Sequence, residues 1–278
     1  MPATAIELHA PLQLPEGVPV VAFRDVSIGF EEHEVLRDVS FDVAHGETRI
    51  ILGPAGCGKS TLMKIANGLL QPDAGSVSVF GNDLATLNEQ QMFQIRAHIG
   101  MVFQESALFD SLNVEDNVAY RLHEEHVEQT EIHERVVEAL RFVELEKAIE
   151  KFPAELSGGM RRRVSIARAI ITKPDLILYD SPTGGLDPIT STTIIELVVK
   201  QRDVSKATSL LITHRLQDAF TLATHRWNNA AGRMEKIPDG GLDENTKFLV
   251  MNEGRVVFDG TTRELTHSND PWLRQYLA

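Results

Sequence analysis

Residues 49–61 read RIILGPAGCGKST. The apolar run 49–52 has the character of a buried strand, and GPAGCGKST at 53–61 satisfies the spacing G-x-x-x-x-G-K-[ST]. Gly53, Gly56 and Gly58 let the backbone curl until successive N–H groups face one anion, with Pro54, Ala55 and Cys57 filling the turn between them. The helix expected from Lys59 to Leu70 adds the positive end of its dipole. On this reading Lys59 reaches the β- and γ-phosphates of a bound nucleotide, Ser60 ligates Mg2+ and Thr61 touches the α-phosphate. Cys57, the only cysteine, reads as a small space-filling residue, because no second thiol is available to resolve an oxidised form. Its alkylation is expected to block nucleotide.

Outward from this loop the pattern alternates. Strand-like runs stand at 19–23 and 41–44 before it. SVSVF at 76–80, HIGMVF at 98–103, DLILY at 175–179 and TSLLI at 208–212 come after it. Helical stretches follow several of them, and such alternation implies a mainly parallel sheet covered by helices, an α/β fold. An antiparallel β portion is expected on the N-terminal side. The block 105–165 reads as a helical insertion, and 123–140 within it, HEEHVEQTEIHERVVEAL, as a solvated helical face. Residues 1–18 read as a flexible tail ahead of one domain at 19–278. The polar run 226–247 reads as an exposed loop, FLVMNEGRVVFDG at 248–260 as a hairpin, and PWLRQYLA at 271–278 as a short helix.

The 278 residues carry a net charge of −13, which argues against a nucleic-acid partner. A chain of this size buries roughly three quarters of its unfolded surface and needs no disulfide or metal staple. A single cysteine fits a reducing compartment. The opening residues carry no Lys or Arg before Arg24, and no window approaches 18 consecutive apolar residues. The expectation is a cytoplasmic chain, without direct membrane insertion, whose membrane role comes through a partner.

Further motifs follow in order. MVFQ ends in Gln104; LSGGM at 156–160 offers a second helix N-terminus with exposed N–H groups. LILYD ends in Asp180, where a carboxylate can hold Mg2+. GLDP at 185–188 contains Asp187, and LLITH ends in His214. This ordered set resembles the ATP-binding cassette (ABC) ATPases over about residues 19–265, with the fold of a P-loop NTPase nucleotide-binding domain. In that family these are the Walker A loop, Q-loop, signature, Walker B strand, D-loop and switch histidine.

The resemblance implies ATP and Mg2+ as cofactors. It implies that Ser60, Gln104 and Asp180 share the metal, while Lys59 and His214 hold the γ-phosphate. Phe30 falls where the family stacks an aromatic on adenine. The partner implied is a second ABC ATPase subunit, read as an identical chain. Ser157, Gly158, Gly159 and Met160 of one subunit would close in trans on the γ-phosphate held by the other, with Asp187 at the seam. Arg161, Arg162 and Arg163 read as a solvated or ion-paired helix face rather than a phosphate contact, and His123, His126 and His133 as plain helix surface.

The sequence departs from the family at one place. The residue after the Walker B aspartate is normally the glutamate that activates water, and here YDSPTGG puts Ser181 there. A serine hydroxyl is no base near neutral pH, and general-base catalysis contributes about 10²–10⁴-fold. From a typical turnover near 10 s⁻¹ the expectation is roughly 10⁻¹ to 10⁻³ s⁻¹. Substitution by another carboxylate, or an ATP-controlled dimerising switch that rarely turns over, are the alternatives.

Residues 103–122, FQESALFDSLNVEDNVAYRL, resemble the subgroup that powers phospholipid transport at the Gram-negative envelope (maintenance of lipid asymmetry), as do the methionine of LSGGM and NDPWLRQYL at 269–277. The resemblance implies a multi-span inner-membrane permease as partner and a place on the cytoplasmic face of that membrane. Phe103, Leu108 and Phe109 are read either as the groove for a permease helix or as core of the helical insertion.

Overall fold

The computed structural model describes residues 12, 14–31 and 33–278. Strands β1 (Val21–Phe30) and β2 (His33–Val43) form a hairpin, and β3 (Thr48–Leu52) runs through the 53–58 turn into helix α1 (Lys59–Ala66). Next come β4 (Ala74–Val79), β5 (Asn82–Asp83), α2 (Glu89–Ala97) and β6 (Ile99–Val102). Helices α3 (Val114–Glu124), α4 (Gln129–Phe142) and α5 (Gly158–Ile170) follow as a block. Then β7 (Leu176–Asp180), α6 (Pro188–Ser205), β8 (Thr208–Ile212) and α7 (Leu216–Thr224) alternate. The chain continues through β9 (His225–Asn228), β10 (Arg233–Lys236), β11 (Thr246–Asn252), β12 (Arg255–Thr261), α8 (Thr262–Thr266) and α9 (Pro271–Leu277).

The larger sheet has the order β12-β11-β3-β8-β7-β6, with every neighbour parallel except the edge strand β12. Its inner strands are buried on both faces, so their side chains divide by a period of two. Ile51, Leu178, Leu210 and Leu249 enter one core with α1 and the antiparallel sheet β2-β1-β4-β5. Ile50, Ile177, Leu211 and Phe248 enter the other, under helices α3 to α7. Strand pairs Leu52–Val250, Ile51–Ile212, Ile212–Asp180 and Tyr179–Val102 bring the C-terminal ends of five strands to one edge. In open α/β sheets that edge is where ligands bind.

Three expectations change. The N-terminal strands run to Phe30 and from His33, well beyond 19–23 and 41–44. Register shifts and the left-handed residues Asp25 and Asp38 interrupt the alternation from which strands are read. The helix from Lys59 ends at Ala66 instead of Leu70, where Gly68 turns to φ +66°.

The third concerns 226–247, which is not simply an exposed loop: β9 and β10 pair through Arg233–Asn228 and Lys236–His225. Trp227 and Met234 pack against the helical core, and their amides donate to Asp203 at 2.6 Å and Glu196 at 2.9 Å. Two apolar residues across a short turn are too few for a periodic signal. The expected tail 1–18 lies largely outside the described residues, although Leu12 and Leu14 pack partly against the sheet core. No described helix is long and apolar enough to cross a membrane.

Candidate functional site

The loop 53–58 leaves β3 with positive φ at Gly53, Gly56 and Gly58. Close approach demands glycine at two of these. A Cβ on Gly53 would lie 2.3 Å from the Met251 carbonyl oxygen, and one on Gly58 would lie 2.5 Å from Leu36 Cδ2. Gly58 is also the N-cap of α1, so the first amides of that helix have no intrahelical acceptor. Such an amide cluster at a positive helix end is chemically an anion cradle. Lys59 folds over it, its Nζ donating to the carbonyls of Gly53 at 2.8 Å and Pro54 at 2.7 Å. Ser60 is exposed, Thr61 is half-buried, and Cys57 is buried beneath the turn.

Asp180 ends β7 beside the loop. Burial raises its carboxyl pKa, while the Ser181 hydroxyl and then the charges of Lys64, Lys59 and Arg162 act in the opposite sense. The Ser181 hydroxyl donates to Asp180 Oδ1 at 3.4 Å, and its backbone is left-handed at φ +47°. Its amide donates to Ile212 O at 3.0 Å, and its carbonyl accepts from Gly184 N at 2.9 Å. Gln104 lies just beyond β6 and flanks the same turn, with its Cγ 3.3 Å from where a Gly184 Cβ would stand. His214 follows β8 and is exposed. The sheet thus brings Lys59, Gln104, Asp180, Ser181 and His214 to one edge from four strand ends.

The signature residues occupy the tip of α5. Ser157 caps the helix by accepting from Met160 N at 3.2 Å. Gly159 packs so closely on α6 that a Cβ would stand 2.4 Å from Thr190 Cγ2, and Gly158 faces Leu186. Asp187 caps α6, accepting from the amides of Ile189 and Thr190 and from the Thr190 hydroxyl at 2.5 Å. The Thr190 hydroxyl, foremost, holds its carboxyl below the usual range. Phe30 is 46% exposed at the far end of β1.

The arginines after the signature are not a solvated face. Arg162 is only 3% exposed and donates to the carbonyls of Phe103 at 3.0 Å and Ser181 at 3.2 Å, and also to those of Gln104 and Gly184. Arg161 donates to Leu156 O at 2.5 Å and Arg163 to Val143 O at 3.0 Å. Buried carbonyls that lack a ladder partner need donors, and a guanidinium supplies several at once. Of the histidines, His133 pairs with Glu115 at 2.6 Å and His123 lies 3.9 Å from Asp116.

Phe103 and Phe109 are exposed, while Leu108 packs against the helical core. Phe109 lies 4.6 Å from the Tyr120 ring, and Arg121 covers exposed Phe93 at 4.3 Å. Phe93 and Tyr120 carry no sequence signal of their own; α3 sets Tyr120 against Phe109 and Arg121 over Phe93 of α2.

These features define a P-loop ATPase cassette. The ABC transporter family model matches residues 36–184, more than half of the chain. The chain belongs to the ABC transporter family as an ATP-binding subunit that hydrolyses ATP. It is 36% identical to "Protein TRIGALACTOSYLDIACYLGLYCEROL 3, chloroplastic" of Arabidopsis thaliana, over 92% of this chain and 73% of that protein. It is 31% identical to "Intermembrane phospholipid transport system ATP-binding protein MlaF" of Escherichia coli, over 93% and 88%. "Probable ribonucleotide transport ATP-binding protein mkl" of Mycobacterium leprae matches at 34%, over 95% and 70%. Among solved structures, the ATP-binding cassette MJ0796, a dimer in a post-hydrolysis state bound to ADP and Pi, superposes with a TM-score of 0.72. That match has 28% identity and covers 87% of this chain and 98% of that one.

Proposed function

We propose that this chain is the motor of a transporter that moves phospholipid or a related lipid through a multi-span permease, with ATP turnover slowed by Ser181. Of the relatives, one is named for intermembrane phospholipid transport, one for trigalactosyldiacylglycerol and one for ribonucleotide transport. Residues 103–122 and the ending at 269–277 favour the lipid reading. The motor would work as a dimer of cassettes on the cytoplasmic face of the inner membrane, with Phe103 and Phe109 as contacts for the permease.

In this reading Lys59 neutralises the β- and γ-phosphates, Thr61 meets the α-phosphate, and Phe30 stacks on adenine. The exposed His214 holds the γ-phosphate. Ser157 to Met160 close in trans, with Asp187 at the seam. Ser60, Gln104 and Asp180 present a hydroxyl, an amide oxygen and a carboxylate. These are hard oxygen donors that fit Mg2+, and Asp180 faces the loop closely enough to feel Lys59. The metal would neutralise phosphate charge as it develops.

The observation that carries the slow-turnover reading is the Ser181 hydroxyl turned toward Asp180 at 3.4 Å. It donates to a metal-site carboxylate and offers no base to water. Positioning and electrostatics remain, and these supply most of phosphoryl transfer.

The test is steady-state MgATP hydrolysis by the purified chain beside Lys59→Ala and Ser181→Glu. A wild-type rate at roughly 10⁻¹ to 10⁻³ s⁻¹, above Lys59→Ala and raised severalfold or more by Ser181→Glu, supports the reading. A wild-type rate near 10 s⁻¹ means another group is the base. Rates at the Lys59→Ala level for both wild type and Ser181→Glu favour the dimerising switch.

A further inference from the structure

Tyr276 stands on α9, outside every motif of the nucleotide site, yet its hydroxyl accepts a hydrogen bond from the Gly53 amide at 3.0 Å. We propose that Tyr276 is a positioning residue of the phosphate loop, through which the docking of α9 sets nucleotide affinity. The proposal rests on loop 53–61 being the nucleotide site.

Gly53 lies one residue past the parallel ladder, whose pairs end at Leu52–Val250 and Ile51–Ile212. Its amide is therefore beyond the last strand partner, on a buried residue, where an unpaired N–H is costly. Tyr276 supplies the acceptor from 223 positions away in the chain.

The phenol is itself held. The Trp272 ring stacks on it at 5.3 Å with planes 4° apart. Leu273 buries the helix in the core at 2% exposure, and Asp270 caps it by accepting from Leu273 N at 2.9 Å. A stacked tyrosine has few rotamers to lose, so its hydroxyl is presented in place. Burial, foremost, pushes the phenol above its ordinary pKa, while the Gly53 amide acts in the opposite sense.

Gly53 is gripped from its other side as well, since its carbonyl accepts from Lys59 Nζ at 2.8 Å. The residue at the mouth of the loop thus joins α9 to the lysine that meets phosphate. Releasing the amide frees the loop entry and adds the cost of ordering it to nucleotide binding.

The test compares wild type, Tyr276→Phe and Lys59→Ala as full chains. It measures equilibrium binding of MgATP, the KM and kcat of hydrolysis, melting temperature, and the rate of maleimide labelling at Cys57, the only thiol. Tyr276→Phe keeps the ring and its stacking. It is expected to weaken MgATP binding about fivefold, the worth of one hydrogen bond, with KM rising in step and kcat little changed. Labelling of Cys57 should quicken, because its Sγ lies 2.7 Å from where a Gly53 Cβ would stand.

Unchanged binding and labelling in Tyr276→Phe, with binding still lost in Lys59→Ala, overturns the role of Tyr276 alone. A lower melting temperature with unmoved affinity also overturns it, because the phenol is then merely structural. Wild-type binding no better than Lys59→Ala overturns the nucleotide site and this proposal with it.

Discussion

Arg162 donates to the carbonyl oxygen of Ser181 at 3.2 Å from a position only 3% exposed. The same guanidinium holds Phe103 O and Gln104 O, so the helix behind the signature is tied to the Q-loop and to the residue beside Asp180. Burial lowers its pKa, with Asp180 opposing.

Arg162→Met should therefore strip a donor at once from the carbonyls of Phe103, Gln104, Ser181 and Gly184, the last two on buried residues. Leaving a desolvated carbonyl without its donor costs about 1–3 kcal/mol, so losing several at once should cost about 3–5 kcal/mol. For a chain of this size that is a fall in melting temperature of roughly 10 °C. ATP turnover should fall with it even at temperatures where the variant is folded, because Gln104 and Ser181 lose a common anchor. Calorimetry and hydrolysis rates check this. A melting temperature within about 2 °C of wild type would remove Arg162 from the account.

The cap at Asp187 predicts a pH dependence. Its carboxyl is held below its ordinary value of 3.8, chiefly by the Thr190 hydroxyl. A depressed carboxyl contributes stability that is full above the unfolded value and is lost as pH falls through the folded one. Asp187→Asn, which keeps a cap oxygen, should trail wild type in melting temperature at pH 6. The gap should narrow as pH drops below 3.8. A gap that stays constant or widens toward acid contradicts the assignment.

The β9–β10 hairpin is expected to be structural. Trp227 packs against the helical core and lies under Lys200 at 5.1 Å. A buried Trp→Ala change costs about 3–5 kcal/mol, and a half-buried one should cost about 2 kcal/mol. Denaturant melts of Trp227→Ala should show that loss with the slope unchanged. A plain surface loop would give nearly none.

The exposed aromatics near Gln104 should separate from their neighbour Leu108. If these residues contact the permease proposed above, Phe103→Ser and Phe109→Ser should leave melting temperature and intrinsic hydrolysis nearly unchanged but abolish co-purification with a multi-span membrane protein. Leu108→Ala should destabilise instead, since its side chain packs on the core. Permease binding retained by the doubly substituted Phe103→Ser, Phe109→Ser chain would place the contact elsewhere.

The sequence by itself determined the nucleotide core. A glycine loop between an apolar strand and a helix is local chemistry: backbone conformations at Gly53 and Gly58, free amides, and a lysine one step on. The parallel strands were legible too, because strands buried on both faces are continuous apolar runs, as in LILYD and TSLLI. Ser181 was readable as a departure, since its place relative to Asp180 is set by adjacency. What only the tertiary structure decided are the contacts made across the sheet. Arg162 reads as one of three charged residues in a row, and its burial follows from β6 and β7 being neighbours, which brings Phe103 and Ser181 within reach of one side chain. Tyr276 meets Gly53 because β11 pairs with β3 and α9 packs back onto that core. No spacing encodes a partner 223 residues away; strand order does, and strand order is settled only when the whole core packs.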